Sequence, residues 1–257
     1  MAAAGIRLNQ ARGPDGVRLY AIGDVHGEDL LLGAMHLAIE TDLQQRPVEQ
    51  ARLIHLGDYV DRGPNSRGVL ERLAGAKEHD RRVIALSGNH DVGFLDFLAA
   101  PTADGLFAHN GGEMTARSYG VDLDFSTRSG LMAGHAALQA AVPERHLGFL
   151  RGLAAAVSFG DYFFCHAGVQ PGRPLAEQSP DDLMWIRWRF LAHEGLYEKI
   201  IVHGHTPTAE VEFRPNRINV DTGAFHTGRL SALVIDGAER RVLTVSEKGQ
   251  RASVTTP

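Results

Sequence analysis

Only one cysteine, Cys165, occurs in the chain, so it can build neither a disulfide framework nor a thiolate zinc site. Long apolar runs are missing as well. No stretch approaches the roughly 18 apolar residues that a membrane-crossing helix requires. Met1 to Gly16 lacks the apolar core of a secretion signal. Positive charge is not in excess either: the net charge is −5, which argues against a nucleic-acid partner. No P-loop lysine pattern is found. These absences lead to the expectation of a cytoplasmic protein with no membrane and no nucleic-acid partner.

Histidine and glycine, by contrast, are plentiful. Of 13 histidines, four sit inside short glycine-flanked blocks. The blocks are Gly23-Asp24-Val25-His26-Gly27, Gly57-Asp58-Tyr59-Val60-Asp61-Arg62-Gly63, Gly88-Asn89-His90-Asp91, His166-Ala167-Gly168 and Gly204-His205-Thr206. A sixth block, Asp221-Thr222-Gly223, has the glycine but no histidine. The first five carry metal-ligating side chains at places where an apolar run gives way to glycine. A strand end fixes such a ligand, and the glycine lets the backbone turn and a substrate approach.

The apolar spacing supports this placement. Val17–Gly23, Arg52–Gly57 and Arg82–Ser87 read as strands, and Glu28–Thr41, Pro64–Lys77 and Asp91–Ala100 as helices. This βαβαβα order predicts a parallel sheet. Its ligands lie beyond the carboxyl ends of the strands, where the Asp24, Asp58 and Asn89 blocks fall. Residues 101–151 read as a mostly helical cap, with a turn at Asn110-Gly111-Gly112. The second half turns β-rich, with strands over Val157–His166, Lys199–His203, Val211–Phe213, Arg217–Val220, Leu230–Ile235 and Arg241–Val245. One helix, Asp181–His193, lies among them. We expect an α/β fold, a single domain over 17–246 with two packed sheets, and flexible ends at 1–16 and 247–257.

Asp24 and His26 are two residues apart and point to one side of an extended segment. Asn89 and His90 are adjacent and face opposite ways, so one can bind metal while the other addresses substrate. Asp58 and Asp61 place two carboxylates and the Arg62 cation in one loop. A mixed oxygen and nitrogen set without sulfur suits two divalent ions such as Mn, Fe or Zn better than Ca. Two ions about 3.5–4 Å apart can clamp a phosphoryl oxygen and lower the pKa of water. His203, at the end of an apolar run, reads as core. Asp221-Thr222-Gly223 is the triplet of aspartic proteases, but a single copy beside metal ligands reads as a turn.

Taken together, Gly-Asp-x-His-Gly, Gly-Asp-x-x-Asp-Arg-Gly, Gly-Asn-His-Asp, His-Ala-Gly and Gly-His-Thr resemble the metallophosphoesterases of the phosphoprotein phosphatase family. The resemblance runs from about Leu19 to Asp236. Asn110-Gly111-Gly112, Ser118-Tyr119-Gly120 and Trp185-Ile186-Arg187 are similar to segments of the bacterial branch that includes the bacteriophage lambda phosphatase. The resemblance implies a calcineurin-like sandwich of two mixed β-sheets flanked by helices. It implies Asp24, His26 and Asp58 on one metal, with Asp58 bridging to a second held by Asn89, His166 and His205. Manganese is the first expectation for the ions, with iron or zinc as alternatives. His90 would be the general acid, paired with Asp61; Arg62 and Arg187 would bind phosphate. A bridging hydroxide would attack phosphorus directly.

The implied activity is a metal-dependent phosphomonoesterase, first of all a serine/threonine protein phosphatase, acting on a phosphorylated protein or a small phosphoester. The alternative is hydrolysis of dinucleoside polyphosphates such as diadenosine tetraphosphate. Asp91 departs from the Glu usual in eukaryotic protein phosphatases, and related dinucleotide hydrolases can also show Asn-His-Asp. Intact Asp61, often replaced in that branch, points the other way.

Overall fold

The computed structural model describes residues 5–246 and 249–255, the latter by backbone alone. The first half alternates strand and helix: β1 (Val17–Ile22), α1 (Asp29–Gln45), β2 (Gln50–His55), α2 (Ser66–His79), β3 (Val83–Ala85) and α3 (Asn89–Ala99). Asn65 caps α2 by accepting a hydrogen bond from the Gly68 amide. Residues 101–151 carry four further helices, α4 (Leu106–His109), α5 (Gly112–Ser118), α6 (Arg128–Ala141) and α7 (Glu144–Arg151). The second half contains β4 (Ala156–Phe159), β5 (Tyr162–Cys165), α8 (Pro180–Trp185), α9 (Trp188–Leu191), β6 (Ile200–His203), β7 (Glu212–Phe213) and β8 (Arg217–Asn219). It closes with α10 (Ala224–Thr227), β9 (Arg229–Asp236), β10 (Glu239–Ser246) and β11 (Gly249–Thr255).

The strands form two mixed sheets, ordered β11-β10-β9-β1-β2-β3 and β4-β5-β6-β8-β7. In the first, β1, β2 and β3 run parallel while β9 pairs antiparallel with β1. In the second, β5, β6 and β8 run parallel. Strand periodicity sorts the core. Leu19, Ala21 and Ile54 of the first sheet meet Phe164, Val202 and Ile218 of the second, all fully buried. The alternate residues Tyr20, Ile22 and Leu53 face the helices, where they join Leu32, Leu70 and Phe94. The far side of the second sheet packs Phe163 and Ile201 against Leu183, Ile186 and Phe190. The layers are therefore helix, sheet, sheet, helix, with both sets of parallel-strand carboxyl ends at one rim.

Two elements depart from the sequence reading. Val157–His166 is not one strand: Gly160, with φ +54, turns the chain and makes β4 and β5 an antiparallel hairpin. Asp181–His193 is not one helix: it breaks over Ile186 and Arg187, whose backbones leave the helical region at ψ +138 and at φ −131, ψ −95. Ile186 is drawn into the core while Arg187 turns outward.

Of the ends expected to be flexible, residues 1–4, 247–248 and 256–257 lie outside the described residues. Residues 5–16 are held: the Ile6 amide donates to the Tyr197 carbonyl at 2.9 Å, and Ala11 is buried. Residues 249–255 extend the first sheet as β11. The two chain halves are also joined by buried charge. Asp42 accepts from Arg241 Nη1 at 2.7 Å, Arg18 Nη1 at 3.3 Å and the Tyr20 hydroxyl at 2.6 Å. Arg18 further pairs with Asp236 at 2.7 Å. Among the described residues, no helix is long and apolar enough to cross a membrane.

Candidate metal centre

Asp24 follows β1, Asp58 follows β2 and Asn89 opens α3 after β3; His166 follows β5 and His205 follows β6. The five blocks thus converge at the shared rim of the two sheets. Asp24, His26, Asp58, Asn89, His90, His166 and His205 are all at most 5% exposed.

The second ligand group is compact. His166 Nε2 lies 3.0 Å from Asn89 Oδ1, 3.1 Å from His205 Nδ1 and 3.4 Å from Asp58 Oδ2. His166 Nδ1 faces the Leu56 carbonyl at 3.0 Å, so Nδ1 carries a proton and leaves the Nε2 lone pair inward. Four atoms of ligand type therefore gather at one place. Their spacing is that of donors around an ion at about 2.0–2.2 Å. The first group is looser. His26 Nε2 lies 3.4 Å from the same Asp58 Oδ2, and its Nδ1 faces the Val60 carbonyl at 2.9 Å. Asp24 Oδ2 accepts from the His205 amide at 3.0 Å, and its Oδ1 is buried with no hydrogen-bond partner. An orphaned buried carboxylate oxygen is costly unless a cation meets it.

Charge gives the same indication. Burial, with Asp221 and Asp58 alongside, raises the Asp24 pKa well above the carboxylate range. Burial and Asp58 lift Asp91 to about 7. Asp221 is lifted to about 6, chiefly by burial and in part by Asp58. Burial would lower the His166 pKa, but Asp58 and Asp24 raise it to about 10, so their negative charge draws positive charge to the place that His166 Nε2 faces. Burial takes His26 down to about 3 and His205 to about 2, so both are neutral and able to ligate. Four carboxylates crowded beside neutral imidazoles are a set that divalent cations compensate, and the residues present fit two such ions.

Backbone strain is concentrated here. Among the described residues, the non-glycine positions with positive φ are His26 (+44), Asp58 (+53), Asp61 (+71), Arg62 (+68) and His205 (+67). All five belong to the centre. Each costs on the order of 1–3 kcal/mol and persists only where the surroundings over-determine it. One glycine shows how tightly they do so: a Cβ on Gly57 would stand 2.6 Å from the Gly88 amide nitrogen and 2.9 Å from His166 Nδ1.

His90 and both arginines line the open side. His90 Nδ1 meets Asp61 Oδ2 at 2.7 Å. Arg62 directs Nη1 to His26 Nε2 at 2.9 Å and Nη2 to His90 Nε2 at 3.0 Å. Arg187 Nε donates to His205 Nε2 at 2.8 Å. The helix break gives it this reach, because an unbroken helix would have fixed the backbone direction at residue 187. All ten residues singled out in the sequence are thereby brought together.

Other contributors were not foreseen. His90 offers a donor atom within 4.8 Å of those of His26 and Asp58, closer to the ligand cluster than a purely proton-carrying group needs to be. Asp91 is a clamp: its carboxylate accepts from the amides of Asp58 (2.9 Å), Tyr59 (2.8 Å) and Gly88 (2.9 Å). Its adjacency to His90 was visible in the sequence; its reach across to the Asp58 loop was not. Thr115 of α5 donates to Asp61 Oδ1 at 2.8 Å, and the Gly111 carbonyl accepts from the Arg62 amide at 3.2 Å. The only sequence sign of this was Asn110-Gly111-Gly112. His203 turns away, edge-on to Phe190 at 4.9 Å. Asp221 accepts from the Gly223 amide at 2.8 Å, as a turn residue does.

Comparison with known proteins gives the family and supports the fold. Residues 17–229 match the family model of the calcineurin-like phosphoesterases. The chain is similar to the bis(5'-nucleosyl)-tetraphosphatase PrpE (asymmetrical) of Anoxybacillus flavithermus, with 25% identity over 82% of this chain and 88% of that one. Its fold is similar to that of a candidate diadenosine tetraphosphatase, with a TM-score of 0.59 and 19% identity, covering 95% of this chain and 98% of the other. It is also similar to that of a cold-active protein-tyrosine phosphatase of a psychrophilic Shewanella species, with a TM-score of 0.58 and 15% identity, covering 96% and 83%.

Proposed function

This chain belongs to the calcineurin-like phosphoesterase family, and from that premise we propose that it is a metal-dependent hydrolase of dinucleoside polyphosphates. The observation that carries the reading is the placement of cations at both ends of the ligand cluster. Arg62 stands on the His26 side and Arg187 on the His205 side. Two guanidiniums at opposite ends of the cluster let each fork onto a different phosphate of a polyphosphate run. The relatives named as tetraphosphatases support it, and they favour the second of the two activities expected from the sequence. A serine/threonine phosphomonoesterase of the lambda-like branch is the second reading. It is favoured by the intact Asp61–His90 pair, which suits a poor, alkoxide-like leaving group.

Asp24, His26 and Asp58 would hold one ion, and Asp58, Asn89, His166 and His205 the other, with manganese the first choice. Ions held there supply positive charge to phosphoryl oxygens and a nucleophile near neutral pH. The protein does the rest. Asp61, fully buried and fixed by Thr115, keeps the proton on His90 Nδ1 and orients the ring. His90 Nε2, which lies 3.0 Å from Arg62 Nη2, would carry the proton for the departing oxygen once the Arg62 fork turns to phosphate. Arg62 and Arg187 grip the phosphate oxygens on either side.

With Mn²⁺ present, we expect kcat/KM for diadenosine tetraphosphate to exceed that for phosphoserine or phosphothreonine peptides at least tenfold. Steady-state assays on the purified protein measure this. The opposite ranking moves the assignment to the phosphomonoesterase while the metal centre stands.

Arg187→Ala tests the grip separately from the ions. Losing a charged hydrogen bond to phosphate should raise KM and weaken inhibition by inorganic phosphate roughly tenfold, with metal content unchanged by elemental analysis. Inhibition as strong as in the parent would remove Arg187 from the phosphate site.

A further inference from the structure

The chain has two tryptophans, Trp185 and Trp188, and both are exposed, at 45% and 79%. Large aromatic side chains bury so much area that they normally end in a core or an interface. Here the neighbours Met184 and Ile186 take the core positions and anchor the segment, leaving the indoles outside. Trp185 is not remote from the chemistry. Its ring and that of His205 stand nearly perpendicular, with centroids 6.5 Å apart and planes at 79°. Arg187, two residues on, bonds to the same His205. A flat apolar face and a guanidinium thus sit side by side at one end of the metal cluster. The other end has an aromatic too, Phe225, 5.4 Å from the His26 ring. Its face is already taken, because the Arg62 guanidinium lies 4.8 Å over it. Among the described aromatic rings beside the centre, Trp185 is the large one that stays exposed, at 45%.

We propose that Trp185 is a specificity-determining residue on which one nucleobase of the substrate stacks, while Arg187 takes the adjoining phosphate. The proposal deepens the nucleotide reading given above and rests on it. Every nucleobase has a π-face, and stacking on an exposed aromatic ring is strong and tolerant of base identity. Phosphoserine and phosphothreonine have no flat group to offer such a platform.

Because there are only two indoles, intrinsic fluorescence reports directly on the site. In metal-loaded Trp188→Phe protein, ADP is expected to quench the remaining Trp185 emission saturably, and tripolyphosphate, which has no base, to leave it nearly unchanged. In Trp185→Ala, the inhibition constant of ADP against p-nitrophenyl phosphate hydrolysis should rise roughly 5- to 100-fold. That rise should exceed the change for tripolyphosphate at least fivefold, and Trp185→Phe should recover most of it. The platform is overturned if ADP leaves Trp185 emission unchanged, or if Trp185→Ala weakens ADP and tripolyphosphate equally. These readouts keep the two ideas apart. Diadenosine tetraphosphate hydrolysed with an unaltered KM by Trp185→Ala overturns the platform and spares the nucleotide reading. Saturable ADP quenching in a protein that prefers phosphopeptides does the reverse.

Discussion

Asp58→Asn is expected to leave a folded protein that binds at most one divalent ion per chain and turns over at least about 10³-fold more slowly. The reason is the position of one atom. Asp58 Oδ2 is 3.4 Å from both His26 Nε2 and His166 Nε2, so it is shared by the two ligand groups. Without that charge, two cations close together repel each other with nothing between them. Asparagine is chosen over alanine because residue 58 has φ +53, a region that asparagine tolerates and alanine does not. Its side chain can still accept from the His90 amide, as Asp58 Oδ1 does at 3.0 Å. Elemental analysis after dialysis and a pH-matched rate measurement decide the matter. Two ions per chain with activity within tenfold of the parent would end the shared-carboxylate account.

His90→Asn should slow turnover by roughly 10² to 10⁴, the scale of a lost general acid. Asp61 would remain buried beside it, now without its imidazole partner. The loss should depend on what leaves. An alkyl phosphate releases a basic oxygen that needs the proton; p-nitrophenolate and a nucleoside polyphosphate need it less. The variant should therefore be most defective on alkyl phosphates. Asp61→Asn should reproduce the pattern, since a neutral amide at the 2.7 Å contact no longer favours the Nδ1 proton. An equal loss across leaving groups would show that His90 acts by ligating or positioning, a role its closeness to His26 and Asp58 permits.

Much of this architecture is legible in the sequence because local and global signals agree. Val17–Gly23 and Arg52–Gly57 read as short strands ending in glycine-flanked ligands, and the helix between them has the right period. That places Asp24, Asp58 and Asn89 at strand ends without any knowledge of the fold. His166 and His205 follow by the same reasoning, although they belong to the other sheet. What stays hidden depends on contacts across long stretches of sequence. Thr115 reaches Asp61 from 54 residues away, and no periodicity announces it. Asp91 looks like a shortened glutamate in a motif, but its length suits three amides, two of them on another loop. The break at Arg187 is hidden for a different reason. The segment from Ser179 has a good helix start, with Pro180 at the first turn, and nothing local opposes continuation. The pull of Ile186 into the core and of Arg187 toward His205 overrides that propensity.

The position of β9 has a consequence for how the molecule is made. β9 pairs with β1, setting Arg18 opposite Asp236, and the Asp42 charge cluster draws Arg241 onto the N-terminal half. During synthesis β1, β2 and β3 emerge early and can align with α1 and α2. The outer edge of β1 must then wait for more than two hundred residues before its partner exists. Such a wait is entropically slow and leaves an apolar strand edge open to the wrong neighbour. Nascent chains ending before β9 are thus the vulnerable species. The arrival of the C-terminal hairpin, rather than collapse of the first α/β units, is the step at which this chain commits to its native topology.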